Sequence, residues 1–448
     1  MKKMPTAPTW LLILTLIFGT ALALVLPPGQ VPDEYQHFGR AYALSKGQWF
    51  PITAWLPKGM AQLLEYTSTL PFHVESKLHP EGLLALGGSQ LEEQEQVPVE
   101  LPASSVYTPI PYLFSALGIF LARLVGLAPL WIFYAGRFTN LLVWIALVYI
   151  GFRRTPVVRW VFLLLLLSPM SLNQAASYSA DCITNAVSFL WICLVLEMAL
   201  DGKPITWQRW VIILAFTFLL PFTKPPYAVL LLAAVVIPAA RFGNQKRRVF
   251  ALLAILALTI PLVFASAGIN REYYYSKIQF TGVDAVAQQT GILTHPLTFV
   301  NATLRAVVED GRFIYESYIG ILGWLDTRLP GFIYWSYPLV LLLVALVDSQ
   351  PDIRIDAWQK ILFVLTGCLA FLCVAAGQWI TWTTLNAHKV SGIQGRYLIP
   401  IIPPILLGFY NHKLRVDTKA VKVFVPVYVI IVLVFTLASV MKRFYFLS

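Results

Sequence analysis

Pro27-Pro28-Gly29-Gln30-Val31-Pro32-Asp33-Glu34-Tyr35-Gln36-His37-Phe38 places two adjacent carboxylates directly after an apolar run from Trp10 to Leu26. A run of that size is long enough to cross a bilayer, which takes about 20 apolar residues. It follows Lys2 and Lys3, lacks a small-residue cleavage site and ends in two prolines, so it reads as a retained first span with its N-terminus in the cytoplasm. The carboxylates then sit where the chain leaves the membrane, a position suited to chemistry at a bilayer surface.

The rest of the chain has the composition this reading requires. Of its 448 residues 58% are hydrophobic, 14% aromatic and only 12% charged, with a mean hydropathy of +0.69, against about 25% charged in soluble domains. The expected fold is an all-α polytopic integral membrane protein, with residues 1–448 forming a single transmembrane domain. The net charge of +11 does not point to nucleic acid, because most Lys and Arg residues lie in short turns between apolar runs. Cys182, Cys193, Cys368 and Cys373 fall within or beside apolar segments, which excludes a disulfide framework and a structural zinc site.

After the first run, apolar stretches recur at about 111–126, 130–150, 156–171, 182–200, 210–222, 227–240, 249–268, 332–347, 361–380, 398–410 and 421–440. Counting all of them as spans puts Arg153-Arg154, Arg241 with Lys246-Arg247-Arg248, and Lys413 with Arg415 and Lys419 outside, against the positive-inside rule. If 111–126, which carries Arg123, instead lies in the interface, every cluster becomes cytoplasmic. The expectation is therefore about 11 transmembrane helices with the C-terminus extracytoplasmic. Two long extracytoplasmic loops follow, 28–129 and 269–331, the second holding an interfacial helix from Pro296 to Val308. The acidic run Glu92, Glu93 and Glu95 reads as a solvated face.

Ionisable residues at an apolar boundary are the default functional candidates, because each costs about 2.5–3.5 kcal/mol at a helix centre. Asp33 and Glu34 are candidates for catalysis, with a helix N-cap as the alternative for Pro32-Asp33; His37 follows one turn later. Arg137 must find an anion, either a protein carboxylate or a phosphate. Asp181 arrives at the top of a span as a cap or a second acidic ligand, and Lys224 sits in the Pro-rich turn Pro221–Tyr227, snorkelling or meeting a phosphate. Gly392-Ile393-Gln394-Gly395-Arg396-Tyr397 and Gly320–Pro330, which contains Trp324, Asp326 and Arg328, complete the set; the glycines suit a close backbone approach to phosphate and Arg396 a bidentate grip. Arg396, Lys224, Arg137 and Arg328 are the candidate phosphate ligands, and His37, Asp181, Trp324, Asp326, Gln394 and Tyr397 the candidate pocket. Carboxylates and cations on one outward face fit a lipid-borne anionic substrate such as a polyprenyl-phosphate sugar: a carboxylate takes the acceptor proton while fixed cations stabilise the departing phosphate, with inversion at the anomeric carbon.

Pro-Pro-x-x-x-Pro-Asp-Glu-x-x-His, Gly-x-Leu-Gly-Trp-Leu-Asp-Thr-x-Leu-Pro and Gly-x-Gln-Gly-Arg-Tyr-x-x-Pro, in that order, resemble a bacterial polytopic membrane-protein family of unknown function grouped with the GT-C glycosyltransferases. The resemblance implies a GT-C-like fold with extracytoplasmic juxtamembrane helices in the bacterial inner membrane. It implies transfer from a polyprenyl-phosphate-linked donor to a cell-envelope glycan, lipid or protein acceptor, with Asp33 as base, Glu34 its neighbour and Arg396 on the phosphate. No cofactor is required by the sequence. A divalent metal would be held by Asp33 and Asp181, although Asp181 stands alone where oligosaccharyltransferases carry a paired motif. The rival readings are a transporter or flippase of lipid-linked sugars or envelope polymer, which calls for charge through the midplane, and a non-catalytic scaffold for envelope assembly. Asn301-Ala302-Thr303 is a formal sequon without an assigned role.

Overall fold

The computed structural model describes residues 5–89, 91, 94–277, 282–350, 352–414 and 418–446. Lys2, Lys3, Glu92, Glu93 and Arg415, which entered the charge argument, lie outside these residues. Within them the chain is a helical membrane protein with six helices long and apolar enough to cross a bilayer: Ala7–Val25, Pro129–Arg154, Asp181–Leu200, Gln245–Ala267, Ala357–Thr381 and Lys419–Phe444.

Four more of the expected runs form shorter apolar helices, Ile110–Leu124, Trp207–Thr223, Pro225–Val236 and Gly331–Val347. The remaining two are broken. Residues 156–171 divide into Arg159–Leu166 and Pro169–Ala175, where Ser168 caps the second piece by accepting the Ser171 N–H at 3.3 Å. Residues 398–410 start at the end of a short turn of 3-10 helix, Gly395–Leu398, and hold only the six-residue helix Ile402–Leu407, because Pro400, Pro403 and Pro404 interrupt the ladder. Broken helices at membrane depth are tolerated where protein covers them, and Trp160 to Ala176 are all buried.

The 111–126 run matches the juxtamembrane expectation in length. Its helix Leu113–Leu124 has 12 residues, about 18 Å at 1.5 Å per residue, too short for a core of about 30 Å. It buries Ser115, Ala116, Gly118, Ile119 and Ala122 while Leu117, Phe120, Leu121 and Leu124 stay exposed. The second loop likewise contains the helix Pro296–Glu309, whose Leu297, Leu304, Val307 and Val308 point away from the protein while Phe299, Ala302, Thr303 and Ala306 pack inward. An apolar face left uncovered by protein is what an interfacial helix presents to lipid. Small additions to the all-α expectation are two antiparallel ribbons, Thr53–Pro57 with Gln96–Glu100 and Ile321–Leu322 with Thr327–Arg328.

The helix Asp181–Leu200 is the axis of the bundle, with 89% of its apolar window buried, whereas Gln245–Ala267 has 22% and runs along the outside. The first span is joined to its neighbour by a consequence of its own sequence. Pro27 and Pro28 have no N–H to give the carbonyls of Ala23 and Leu24 four residues earlier. Arg137 donates to Ala23 O at 2.9 Å and Tyr134, one turn back on the same face, donates to Leu24 O at 3.2 Å. Arg137 also bonds Leu26 O and Pro27 O at 2.6 and 3.0 Å. The proline pair thus ends the span and, by leaving carbonyls open, docks it on Pro129–Arg154.

Candidate functional site

A polar cavity of about 280 Å3 opens at the end of the bundle where the first span finishes. Each wall is delivered by a helix terminus. Asp33 and His37 come from the start of Glu34–Ser45, Asp181 from the first residue of the central helix, Lys224 from just past Trp207–Thr223, and Gln394, Arg396 and Tyr397 from the Gly-x-Gln-Gly-Arg-Tyr segment. Arg271 follows the end of Gln245–Ala267, and Gln378 and Thr381 close the end of Ala357–Thr381. The walls are tied across the chain: Thr108 donates a short hydrogen bond to Phe222 O, Tyr227 OH donates to Tyr397 O at 2.9 Å, and Gly395 N donates to Ser317 Oγ at 2.8 Å.

Asp33 occupies the N-cap position of Glu34–Ser45, but its side chain caps nothing. It adopts the left-handed conformation at φ 60°, which Asp tolerates better than most residues yet still at a cost. Its carboxylate has no hydrogen bond or ion pair with the described residues. Burial raises its pKa above the ordinary value of 3.8, opposed by the nearby positive charge of Arg396. His37 Nδ1 shares a 2.7 Å hydrogen bond with Tyr112 OH, and the two rings stack at 5.7 Å. Burial, with Arg396 adding to it, pushes the His37 pKa from 6.5 to about 3, so the imidazole is neutral.

The cationic side is built around Asp181. Lys224 Nζ donates to Asp181 Oδ1 at 2.8 Å and lies 4.6 Å from the Tyr397 ring centroid; Arg396 Nε stands 3.8 Å from Asp181 Oδ2. Neither of the two roles expected for Asp181 describes this: it is the first helical residue, and Ser179 Oγ accepts its N–H at 3.1 Å. Arg396 Nε and Gln394 Oε1 are buried without a hydrogen-bond partner among the described residues, an orphan donor and an orphan acceptor at the same cavity. Buried polar atoms of that kind at a cavity wall are available to a ligand group or to water.

The glycines flanking Arg396 serve packing rather than close approach to phosphate. A Cβ on Gly395 would come within 2.0 Å of Tyr318 N and 2.2 Å of Ile314 O, so the segment lies directly on the backbone of Gly311–Gly320. Gly392, at φ 79°, sits under Trp382 and Gln378 with no room for a side chain.

Five expected site residues lie elsewhere. Glu34, adjacent to Asp33, turns inward to a bidentate pair with Arg137, at 2.8 Å to Nε and 2.5 Å to Nη2, and also accepts Tyr178 N at 3.2 Å; neither side chain is exposed. Arg137 is therefore consumed by a carboxylate and three backbone carbonyls rather than placed at the cavity. Trp324, Asp326 and Arg328 form a latch. Trp324 Nε1 donates to Gly29 O at 2.9 Å, Asp326 pairs with Arg443 at 2.8 Å and accepts Phe72 N at 3.2 Å, and Arg328 pairs with Glu316. That motif fastens the first loop to the end of Thr418–Phe444.

Residues Asp33 and Asp181 do not fit a shared divalent ion. Asp181 is already engaged by two cations, and among the described residues no group of three or more His, Cys, Asp or Glu side chains is suitably clustered. Tyr107, Arg271, Tyr274, Gln378 and Trp382 line the cavity without having been singled out in the sequence. Arg271 carried a usable signal, since it is a cation at the same end of a span as Lys224; the tyrosines carried none.

A family model described as "Predicted membrane protein (DUF2142)" matches residues 16–405. The chain belongs to the DUF2142 family. This is the membrane-protein family that the three motifs anticipated. No curated protein matches in sequence. Among solved structures, the crystal structure of ArnT from Cupriavidus metallidurans in the apo state aligns over 97% of this chain and 77% of that one, at 16% identity and a TM-score of 0.37.

Proposed function

We propose that this DUF2142 protein is a membrane glycosyltransferase that moves a sugar from a polyprenyl-phosphate-linked donor to a cell-envelope acceptor at the extracytoplasmic face, through a GT-C-like transmembrane domain. The observation that carries the reading is the cavity itself. It holds a carboxylate with no hydrogen-bond partner among the described residues, Asp33, together with the cations Lys224, Arg271 and Arg396.

In this reading Asp33 takes the proton from the acceptor hydroxyl as the oxygen attacks the anomeric carbon. The bond from that carbon to the phosphate oxygen breaks, and polyprenyl phosphate leaves with its charge met by Lys224, Arg396 and Arg271. One displacement inverts the anomeric centre. The raised pKa of Asp33 makes it a stronger base than an ordinary carboxylate, and the neutral His37 offers its second ring nitrogen to substrate hydroxyls. Asp181 holds the two flanking cations in place and is a positioning residue.

Sidedness is supported by the far ends of the same helices. Arg153 and Arg154 close Pro129–Arg154 and Arg247 and Arg248 open Gln245–Ala267, each at the end remote from the cavity. By the positive-inside rule these clusters support a cavity that faces outside, and with it a cytoplasmic N-terminus and an outer C-terminus, where Arg443 is neutralised by its pair with Asp326.

The test is transfer of radiolabelled sugar from a panel of polyprenyl-phosphate sugars by the purified protein in lipid nanodiscs, with the anomeric configuration of the product determined. Transfer with inversion is expected from at least one donor. Retention of configuration would remove Asp33 as a base acting in a single displacement, and a lack of transfer from every donor would reject the transferase reading.

A further inference from the structure

The polar cavity is the first of three connected spaces. A second, of about 290 Å3, shares Tyr107, Lys224, Arg271 and Gln378 with it and extends to Pro225 and Pro226. Those two prolines also begin a third, a groove of about 440 Å3 between Pro225–Val236 and Gln245–Ala267. Polarity falls steadily along the path. The last groove is lined by residues such as Leu231, Val235, Leu252, Leu256, Ile260 and Val263. Its one hydroxyl, on Thr259, is spent on Ile255 O at 2.7 Å within its own helix. A polar occupant would lose its hydrogen bonds to water there with nothing in exchange, whereas a hydrocarbon would not.

We infer that the groove between Pro225–Val236 and Gln245–Ala267 holds the hydrocarbon chain of the lipid whose phosphate sits among Lys224, Arg271 and Arg396. The inference rests on the proposed function and adds the path by which the donor enters. Val249 to Val263 spans about 21 Å of helix, at 1.5 Å per residue, more than half of a hydrocarbon core of about 30 Å. The outer wall is the helix with only 22% of its window buried, so the groove lies at the bilayer boundary and the chain can stay in lipid while its headgroup reaches the cavity. The Pro225-Pro226 turn forms the corner. It fixes Lys224 at the head of the 12-residue 3-10 helix that forms the groove's inner wall.

The experiment uses the full chain in nanodiscs and a polyprenyl monophosphate bearing a photoreactive group on its isoprenoid chain. Labelling is expected within residues 249–263, and it should fall at least tenfold when Leu256→Trp and Ile260→Trp fill the groove. Leu258→Trp, on the same helix but outside the groove, should leave it unchanged. Labelling spread evenly over Gly331–Val347 and Thr418–Phe444 as well, or unmoved by the double substitution, would overturn the inference. Because labelling needs no sugar transfer, specific labelling of a protein inactive with every donor would reject the transferase reading and keep the groove. Wild-type KM for a long-chain donor in the double variant would reject the groove and keep the transferase.

Discussion

Within a few residues of one another, the cavity end of the bundle holds two kinds of ionic arrangement. In the Glu34–Arg137 pair both side chains are fully buried and every guanidinium nitrogen is matched, one of them closing the Ala23 carbonyl that Pro27 left open. In the cavity, Asp33 makes no hydrogen bond with the described residues, and Arg396 keeps a buried Nε that is 3.8 Å from Asp181 and hydrogen-bonded to none of them. Completed bonding makes a joint; incomplete bonding makes a site. The Asp326–Arg443 pair is of the first kind, and it draws the Gly-Trp-Leu-Asp motif out of the chemistry and into the fold.

The comparison can be broken most sharply at Asp33. Loss of a general base lowers rate by about 10²–10⁴-fold, so Asp33→Asn should lose at least a hundredfold in transfer while its thermal midpoint in detergent stays at the wild-type value. A comparable loss of stability would make Asp33 a joint as well. Next come the joints. Removing one partner of a buried ion pair costs about 3–5 kcal/mol, so Arg137→Ala and Glu34→Ala should each collapse the folded fraction, read by fluorescence-detected size exclusion. An Arg137→Ala protein that is fully folded yet inactive would return Arg137 to the phosphate. Arg443→Ala should behave like Arg137→Ala and lower the abundance of folded protein in membranes.

Two smaller effects sharpen the same contrast. Asp33 works as a base only when ionised, and its pKa is raised, so transfer should decline on acidification from a pH above the ordinary carboxylate range. His37, pushed to about 3, should add no inflection near 6.5 to the pH–rate profile. An inflection there abolished by His37→Gln would show that the imidazole titrates in the working range. The smallest effect is expected from metal removal. Because Asp181 is held by Lys224 and Arg396, chelation of divalent cations should leave the transfer rate within twofold, and a larger loss restored by added cation would contradict the donor set.

Much of the fold follows from features the sequence displays openly. Length and hydropathy mark the six long helices, and the apolar run at 111–126 forms a helix too short to be among them. Helix breaks at Ser168-Pro169 and around Pro400 were also written in proline, but buried pieces and continuous spans have the same apolar content. Membrane-boundary position picks out Asp33, Asp181, Lys224 and Arg396, which line one cavity. It did not separate Asp33 from Glu34, because Asp33 sits at the N-cap in the left-handed conformation and Glu34 opens the helix, so only the local backbone and the packing of Pro129–Arg154 decide which one meets Arg137. Likewise the partner that draws Asp326 away, Arg443, lies 117 residues further on, a separation over which no local pattern carries information.

The most direct measurement is sugar transfer by Asp33→Asn and Glu34→Gln, at matched folded abundance in nanodiscs with the donor active for the wild type. The account predicts that Asp33→Asn is stable and loses at least a hundredfold in rate. Glu34→Gln should be less stable and, molecule for folded molecule, close to wild-type activity. Wild-type transfer by Asp33→Asn, or a loss confined to Glu34→Gln, would contradict it.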